Sequence, residues 1–138
     1  MGSASDTDLL LVVAAALIDA DGRVLVQRRP AGTPMAGLWE FPGGKVEPGE
    51  APEPALIREL GEELGIAVEQ ACLAPAAFAS EPLDRRHLLL LLYVLRKWSG
   101  QPAARHAAEL RWVRPVQLHA LAMPPADRPL IGLLEALV

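Results

Sequence analysis

Three glutamates between residues 59 and 63 have the type and spacing to bind a cation. Glu59, Glu62 and Glu63 stand at i, i+3 and i+4, so a helix places their side chains on one face. Carboxylate oxygens are ligands that Mg²⁺ prefers, and Mg²⁺ is commonly bound by carboxylates and phosphates together. Arg58 can pair with Glu62 one turn on, which leaves two carboxylates without a cation. The alternative interpretation is a solvated acidic surface.

The helix that presents these side chains is predicted over residues 51–64. Pro52 and Pro54 fit only the first turn of a helix, and Gly65 occupies the position at which helices commonly end. Apolar residues recur at helical spacing beside the acidic face and predict a buried stripe. These residues are Leu56, Ile57, Leu60 and Leu64.

The rest of the chain predicts a mixed β-sheet covered by helices, in the α/β class. Residues 9–18 are apolar without alternation, which is typical of a strand buried on both faces. A turn signal at 19–22 separates them from a strand at 23–29, and the pair predicts a β-hairpin. Further strands are predicted at 38–41, 72–79, 86–96 and 110–113, and helices at 117–121 and 127–137. We expect residues 1–8 to form a flexible tail and residues 9–138 a single domain.

Composition excludes several classes of protein. Lys and Arg number 13 against 17 Asp and Glu, a net charge of −4, which disfavours binding to polymeric nucleic acid. The longest apolar run, at 9–18, is too short for a membrane helix, which needs about 20 residues. A single cysteine cannot form an internal disulfide. We therefore expect a soluble, cytoplasmic protein, either a monomer or a homodimer.

The residues around the acidic cluster complete a longer pattern. Gly44 is followed after five residues by Glu50, and after seven more by Arg-Glu-Leu-Gly-Glu-Glu-Leu-Gly-Ile at 58–66. This resembles the signature of the Nudix hydrolase family, with no position missing. The resemblance implies an α/β/α sandwich around a mixed sheet. It also implies hydrolysis of a nucleoside diphosphate linked to another group, with Mg²⁺ or Mn²⁺ as cofactor.

The resemblance also implies roles for individual residues. Arg58 matches the arginine that orients a glutamate through an ion pair, and Glu50 matches the glutamate that supports the metal site. The proton acceptor is open between Glu59, Glu62 and an acid outside the signature, for which Glu109 is the candidate. Glu109 is equally explained as an exposed acid beside a turn. The implied metal ligands are Glu59, Glu62, Glu63, the backbone carbonyl of Gly43 and, as a candidate, Glu109. His87, His106 and His119 lack ligand spacing and are interpreted as structural or exposed.

Stretches outside the signature, at 27–30, 36–45 and 125–129, resemble the MutT-like branch of the family. That branch cleaves nucleoside triphosphates to a monophosphate and pyrophosphate, with 8-oxo-dGTP as the typical substrate, and so sanitises the nucleotide pool. Arg29 and the stretch Glu40-Phe41-Pro42-Gly43 match substrate-contacting positions. An arginine there can clamp a phosphate or a base carbonyl.

Asp127 departs from this branch, which carries an asparagine at the matching position. The branch that acts on CTP resembles this chain here instead. An ionised carboxylate accepts hydrogen bonds, either from guanine N1–H and N2–H₂ or from cytosine N4–H₂. Asp127 is equally explained as the N-cap of the last predicted helix. The alternatives to an 8-oxo-dGTP diphosphatase are a CTP or 5-methyl-dCTP pyrophosphohydrolase, a hydrolase of sugar nucleotides or dinucleoside polyphosphates, and a non-catalytic nucleotide-binding module.

Overall fold

A computed structural model of the chain describes residues 8–138, and the predicted tail therefore lies outside the described residues except for Asp8. Within that range no helix is long and apolar enough to cross a membrane. The strands are β1 Leu9–Leu17, β2 Val24–Arg28, β3 Trp39–Glu40, β4 Gly43–Lys45, β5 Ala74–Pro82, β6 His87–Leu95 and β7 Glu109–Val113. The α-helices are α1 Pro52–Leu64 and α2 Ile131–Leu137, and short 3₁₀ helices occupy Gln70–Cys72, Pro115–Ala120 and Arg128–Leu130.

The strands form two sheets. The larger has the order β4-β1-β6-β5, in which β1 and β6 run parallel and the other pairs antiparallel. The smaller has the order β3-β2-β7 and is antiparallel throughout. The prediction of a mixed sheet is confirmed.

Strand β1 is an inner strand of the larger sheet, and from Val13 to Leu17 it is buried on both faces, as predicted, whereas Leu9 is exposed. On one face, Ala14 and Ala16 belong to a core cluster that includes Leu134 of α2. On the other face, Val13 packs in a cluster with Leu60 of α1. Helices therefore cover opposite faces of the sheet, which is the α/β/α sandwich that the resemblance implies.

The predicted β-hairpin between residues 9–18 and 23–29 is wrong. A turn does connect the two segments, and a single antiparallel bridge joins Ile18 to Val24. Beyond this bridge the two strands separate into different sheets. The physical reason is that both edges of β1 are already paired, with β4 on one side and β6 on the other. Strand β2 instead pairs with β3 and β7.

The two helices predicted near the C-terminus are more irregular than expected. The first is a 3₁₀ helix at Pro115–Ala120, and the second divides into a 3₁₀ turn at Arg128–Leu130 followed by α2. Pro129 lies within that turn and has no N–H to donate, so it interrupts the α-helical hydrogen-bond pattern.

Candidate active site

Helix α1 carries the acidic cluster, and its apolar stripe fixes how the helix is rotated. Leu56, Leu60 and Leu64 are fully buried against the sheet. The helix ends at Gly65, whose φ of 73° is a left-handed conformation that glycine adopts at low cost, and its N–H donates to Gly61 O. Ile57 is only partly buried. The buried stripe holds the neighbouring acidic face at the edge of the core.

Arg58 connects three of the glutamates that the sequence singles out. Its guanidinium donates twice to the Glu50 carboxylate, over 2.7 Å from Nε and 2.9 Å from Nη2. Its Nη1 lies 3.2 Å from Glu59 Oε2 and 3.2 Å from Glu62 Oε1. The hydrogen bonds from Arg58, with a smaller contribution from the Glu47 N–H, lower the pKa of Glu50 to about 2. The predicted pairing of Arg58 with Glu62 is confirmed.

Glu63 has a different environment from its neighbours on α1. Its Oε1 accepts a hydrogen bond of 3.2 Å from Gln27 Nε2 and another of 3.2 Å from the Gly43 N–H. Both donors are neutral. Burial therefore dominates and raises the pKa of Glu63 to about 7, and the charges of Glu59 and Glu40 act in the same direction.

Glu59 packs directly against Gly44 of β4, the strand that precedes α1. A Cβ atom added at Gly44 would overlap with the Glu59 carboxylate, so only glycine leaves room for this side chain. Burial raises the pKa of Glu59, although Arg58 opposes the shift. The carboxylates of Glu59 and Glu63 thus both lie against Gly43 and Gly44.

The donor set fits a hard divalent cation. Among residues 8–138, no three acidic, histidine or cysteine side chains are close enough together to form a ready-made metal site. Arg58 and Gln27 hold the carboxylate oxygens instead. However, the pKa values of Glu59 and Glu63 are both raised, because burial outweighs the hydrogen bonds that each carboxylate accepts. Mg²⁺ or Mn²⁺ binds carboxylate oxygens and would stabilise the charged form of these two side chains.

Glu109 is not brought together with the other acids. Its Oε1 lies 3.2 Å from Arg28 Nη2, and its Oε2 lies 3.6 Å from Arg111 Nη2. Both arginines also stack on the Trp39 ring, with guanidinium carbons 5.7 and 4.5 Å from its centroid. The Glu109 carboxylate is therefore already neutralised by an arginine cluster.

A largely apolar cavity of about 320 Å³ is lined by the residues of β4, including Gly43 and Gly44. Strands β1 and β6 supply much of its wall, and the loop residue Met35 and the side chain of Leu83 complete it. Its polar lining comes from four side chains: Arg29, Glu40, Lys45 and Asp127. An apolar cavity with a few polar groups is typical of a site for a flat organic ring such as a nucleobase.

Asp127 is the buried acid of this cavity, with only 7% of its surface exposed. Its Oδ2 accepts a hydrogen bond of 3.2 Å from the Phe41 N–H. Burial raises the pKa of Asp127 to about 7. The alternative interpretation of Asp127 as a helix N-cap is wrong: it precedes the turn at Arg128–Leu130, but its side chain makes no capping hydrogen bond. The side chain instead accepts the hydrogen bond from Phe41, the residue that follows β3.

Arg29 and Glu40 form an ion pair in the wall of the cavity. Arg29 Nη1 lies 3.0 and 3.2 Å from the two Glu40 oxygens, and Arg29 Nε donates to Pro34 O over 2.6 Å. Phe41 and Gly43 also line the cavity. Pro42 differs, because it is buried and its carbonyl accepts the Ala15 N–H.

Sequence reasoning missed two residues near Glu63. A smaller cavity, of about 170 Å³, is lined by Gln27 and His106 together with Arg29, Glu40 and Glu63. The loop around His106 is fixed by hydrogen bonds from the Arg105 N–H to Glu63 O and from the Ala108 N–H to Arg28 O. The signal for Gln27 was an amide at the end of an apolar strand, Val-Leu-Val-Gln, where burial of a polar group needs an explanation.

Comparisons with known proteins agree with this arrangement. The family model described as NUDIX domain matches residues 8–134. The chain is 37% identical to the 8-oxo-dGTP diphosphatase of Escherichia coli K12, over 85% of this chain and 89% of that protein. It is 38% identical to the CTP pyrophosphohydrolase of the same organism, over 93% of each. The solution structure of the E. coli ORF135 protein superposes with a TM-score of 0.84 and 36% identity, over 99% of this chain and 94% of that one.

Proposed function

This chain is a hydrolase of the NUDIX domain family, and we propose that it cleaves nucleoside triphosphates to a monophosphate and pyrophosphate with Mg²⁺. The proposed preferred substrate is 8-oxo-dGTP, whose removal sanitises the nucleotide pool. Mn²⁺ is the alternative metal. The observation that carries this proposal is the position of Gly43 and Gly44 in β4, which contact the α1 carboxylates and also line the apolar cavity.

This arrangement gives the two ends of a nucleotide different partners. The base occupies the cavity beside Asp127, and the triphosphate passes over Gly43 and Gly44 of β4 towards α1. Arg29 and Lys45 line the cavity and supply positive charge along that path. A bound Mg²⁺ would neutralise phosphate charge and lower the pKa of a water molecule. The proposed ligands are Glu59, Glu62, Glu63 and the Gly43 carbonyl, and Glu109 is left out because two arginines hold it.

The residues of the chain orient the reacting groups and accept a proton. Water adds its oxygen to a phosphorus and the bridging P–O bond breaks. The bond's electrons go with the leaving group, which is pyrophosphate after attack on the α-phosphorus and the nucleoside monophosphate after attack on the β-phosphorus. The proton lost by that water goes to a glutamate of α1, for which Glu59 and Glu62 are the candidates. Arg58 bonds to both and so fixes their positions. Glu50 in turn fixes Arg58 through two hydrogen bonds.

Asp127 favours a second candidate, a pyrophosphohydrolase of CTP or 5-methyl-dCTP. Its buried carboxylate can accept a hydrogen bond from cytosine N4–H₂ as readily as from guanine N1–H. The similarity to a CTP pyrophosphohydrolase over 93% of both chains supports the same alternative. The remaining hypotheses are a hydrolase of sugar nucleotides or dinucleoside polyphosphates and a non-catalytic binding module.

A substrate panel tests these hypotheses. With Mg²⁺, kcat/KM and products are compared for 8-oxo-dGTP, dGTP, CTP, dCTP, 5-methyl-dCTP and ADP-ribose. We expect the highest kcat/KM for 8-oxo-dGTP, with pyrophosphate released. A preference for cytosine nucleotides would establish the second candidate. Binding without product, by the same protein that binds the metal, would establish the non-catalytic module and overturn the proposal.

A further inference from the structure

Gln27 lies between two carboxylates of the site. It is 4% exposed and belongs to β2, in the smaller sheet, yet its side chain reaches a residue of α1. Its Nε2 donates to Glu63 Oε1 over 3.2 Å and lies 3.5 Å from Glu40 Oε2. An amide nitrogen carries two N–H groups, so one donor is available for each acid. Both neighbours are acceptors, which fixes the orientation of the amide.

The neutrality of this donor matters for a metal ligand. A lysine or arginine in this place would neutralise Glu63 and compete with a cation for it. The Gln27 amide binds one oxygen without adding charge. The Gly43 N–H donates to the same oxygen, Oε1, so two neutral donors fix one side of the carboxylate. The second oxygen, Oε2, is left for a different partner.

The other end of the amide shows that this arrangement has a cost. Gln27 Oε1 is buried and has no hydrogen-bond partner among the described residues. An unpaired buried acceptor destabilises a protein because its lost hydrogen bonds to water are not replaced. An apolar side chain of the same length would avoid that cost, so stability alone does not explain a glutamine here.

We propose that Gln27 is a positioning residue that orients Glu63 for metal binding. Through Glu40 it also joins the metal ligand to Arg29, which gives one hydrogen-bonded path from Arg29 through Glu40 and Gln27 to Glu63. The role as part of a hydrolytic site rests on the proposed function. The orientation of Glu63 for a cation is tested independently of it.

The experiment compares Gln27→Met with Gln101→Met. Methionine keeps the unbranched shape of glutamine and removes the donor, and Gln101 is exposed. Binding of Mn²⁺ alone is measured by electron paramagnetic resonance on metal-free protein. We expect Gln27→Met to weaken Mn²⁺ binding about 10–100-fold, the range typical when a partner of a metal ligand is lost. Equal Mn²⁺ affinity for Gln27→Met and wild type would overturn the proposal.

Activity and stability separate positioning from a purely structural role. We expect kcat to fall about 10–100-fold while KM for the nucleotide changes little. Lysine at position 27, in Gln27→Lys, keeps donors but adds charge, and we expect it to bind Mn²⁺ no better than Gln27→Met does. A structural role alone would lower Tm and leave the metal affinity of the folded protein unchanged. That result would also overturn the proposal.

A measurement on the wild type covers the case in which the variants do not fold. The side-chain amide protons of Gln27 are followed by NMR, with those of Gln101 as the control. We expect slow exchange at Gln27 and line broadening by substoichiometric Mn²⁺. Fast exchange without broadening would overturn the proposal. If wild type hydrolyses no nucleotide of the panel, the proposed function fails, while Mn²⁺ binding still decides the role of Gln27.

Discussion

The acidic face of α1 and the apolar cavity are assembled in opposite ways. The three candidate ligands on α1 lie within five consecutive residues, 59–63, and the helix that carries them is held by its own apolar stripe. The cavity draws on separate segments, from β1, the Met35 loop, β6 and the turn near Asp127. In the proposed function, the side chains that would bind the metal therefore come from one short segment, and those that would contact the base come from several. Each region should consequently respond differently to mutation.

Removing a carboxylate from α1 should have the largest effect. We expect Glu63→Gln, and likewise Glu62→Gln, to lower kcat by about 100-fold or more because a ligand charge is lost. The ranking of bases should be unchanged, since the cavity is intact. Steady-state kinetics on the substrate panel measures both, with the exposed Glu69→Gln as the control. Near-normal turnover in both variants would remove the metal-site assignment.

Displacing a carboxylate without removing it should have a smaller effect. In Gly44→Ala the added methyl group overlaps with the Glu59 carboxylate, which must shift. We expect kcat to fall about 10–100-fold with the base ranking again preserved. Gly132→Ala is the matched control, because no atom lies within 4 Å of its added Cβ. Equal kcat for the two variants would show that the position of Glu59 is unimportant.

A change at Asp127 should alter the preference between bases, which the two changes near α1 leave unchanged. Asparagine keeps an oxygen for the Phe41 N–H and adds a donor that aspartate lacks. We expect Asp127→Asn to raise the kcat/KM ratio of 8-oxo-dGTP to CTP about 10-fold, or roughly 1.4 kcal/mol. Competition between the two nucleotides measures this ratio directly. An unchanged ratio would mean that Asp127 does not read the base.

The smallest expected effect concerns stability and pH. The pKa of Asp127 is about 7 in the folded protein against 3.8 for the ordinary group. Below about pH 4 both states are protonated, and between about pH 4 and 7 only the folded state retains the proton, so stability falls as pH rises. Asp127→Asn removes this dependence. Urea unfolding measures the free energy of unfolding of both proteins. Between pH 4 and 8, the value for the variant should rise relative to that of wild type by at least about 1 kcal/mol. A constant difference would contradict the raised pKa.

The contrast between the two regions also explains what the sequence could predict. Helix α1, its end at Gly65 and its acidic face follow from spacing within one segment, and the structure confirms them. Six of the seven strands among the described residues were located to within a few residues for the same reason, whereas β4 was not predicted. The hairpin was predicted wrongly because the partner of β1 is chosen by competition among distant strands. Local pattern contains no information about that competition.

The same limit applies within the site. Periodicity does not show that Gln27 reaches Glu63, because β2 and α1 meet only in the folded protein. Glu109 became a candidate because it is an acid just before a predicted strand, and only the structure shows that Arg28 and Arg111 contact it. Asp127 was singled out by its place in the sequence, but its contact with Phe41 could not be predicted from that place.

The parallel pairing of β1 with β6 has a consequence for the order of folding. Leu9 pairs with His87, so the central strand is synthesised early and waits for a partner made much later. At about 5–20 residues per second on a ribosome, that wait lasts several seconds. During this time the entirely apolar segment Leu-Leu-Leu-Val-Val-Ala-Ala-Ala-Leu has one edge uncovered. The face that packs on α2 is also uncovered, because α2 is made later still. Nascent chains of this protein should therefore depend on chaperones until β6 leaves the ribosome, and should aggregate when translation pauses before it.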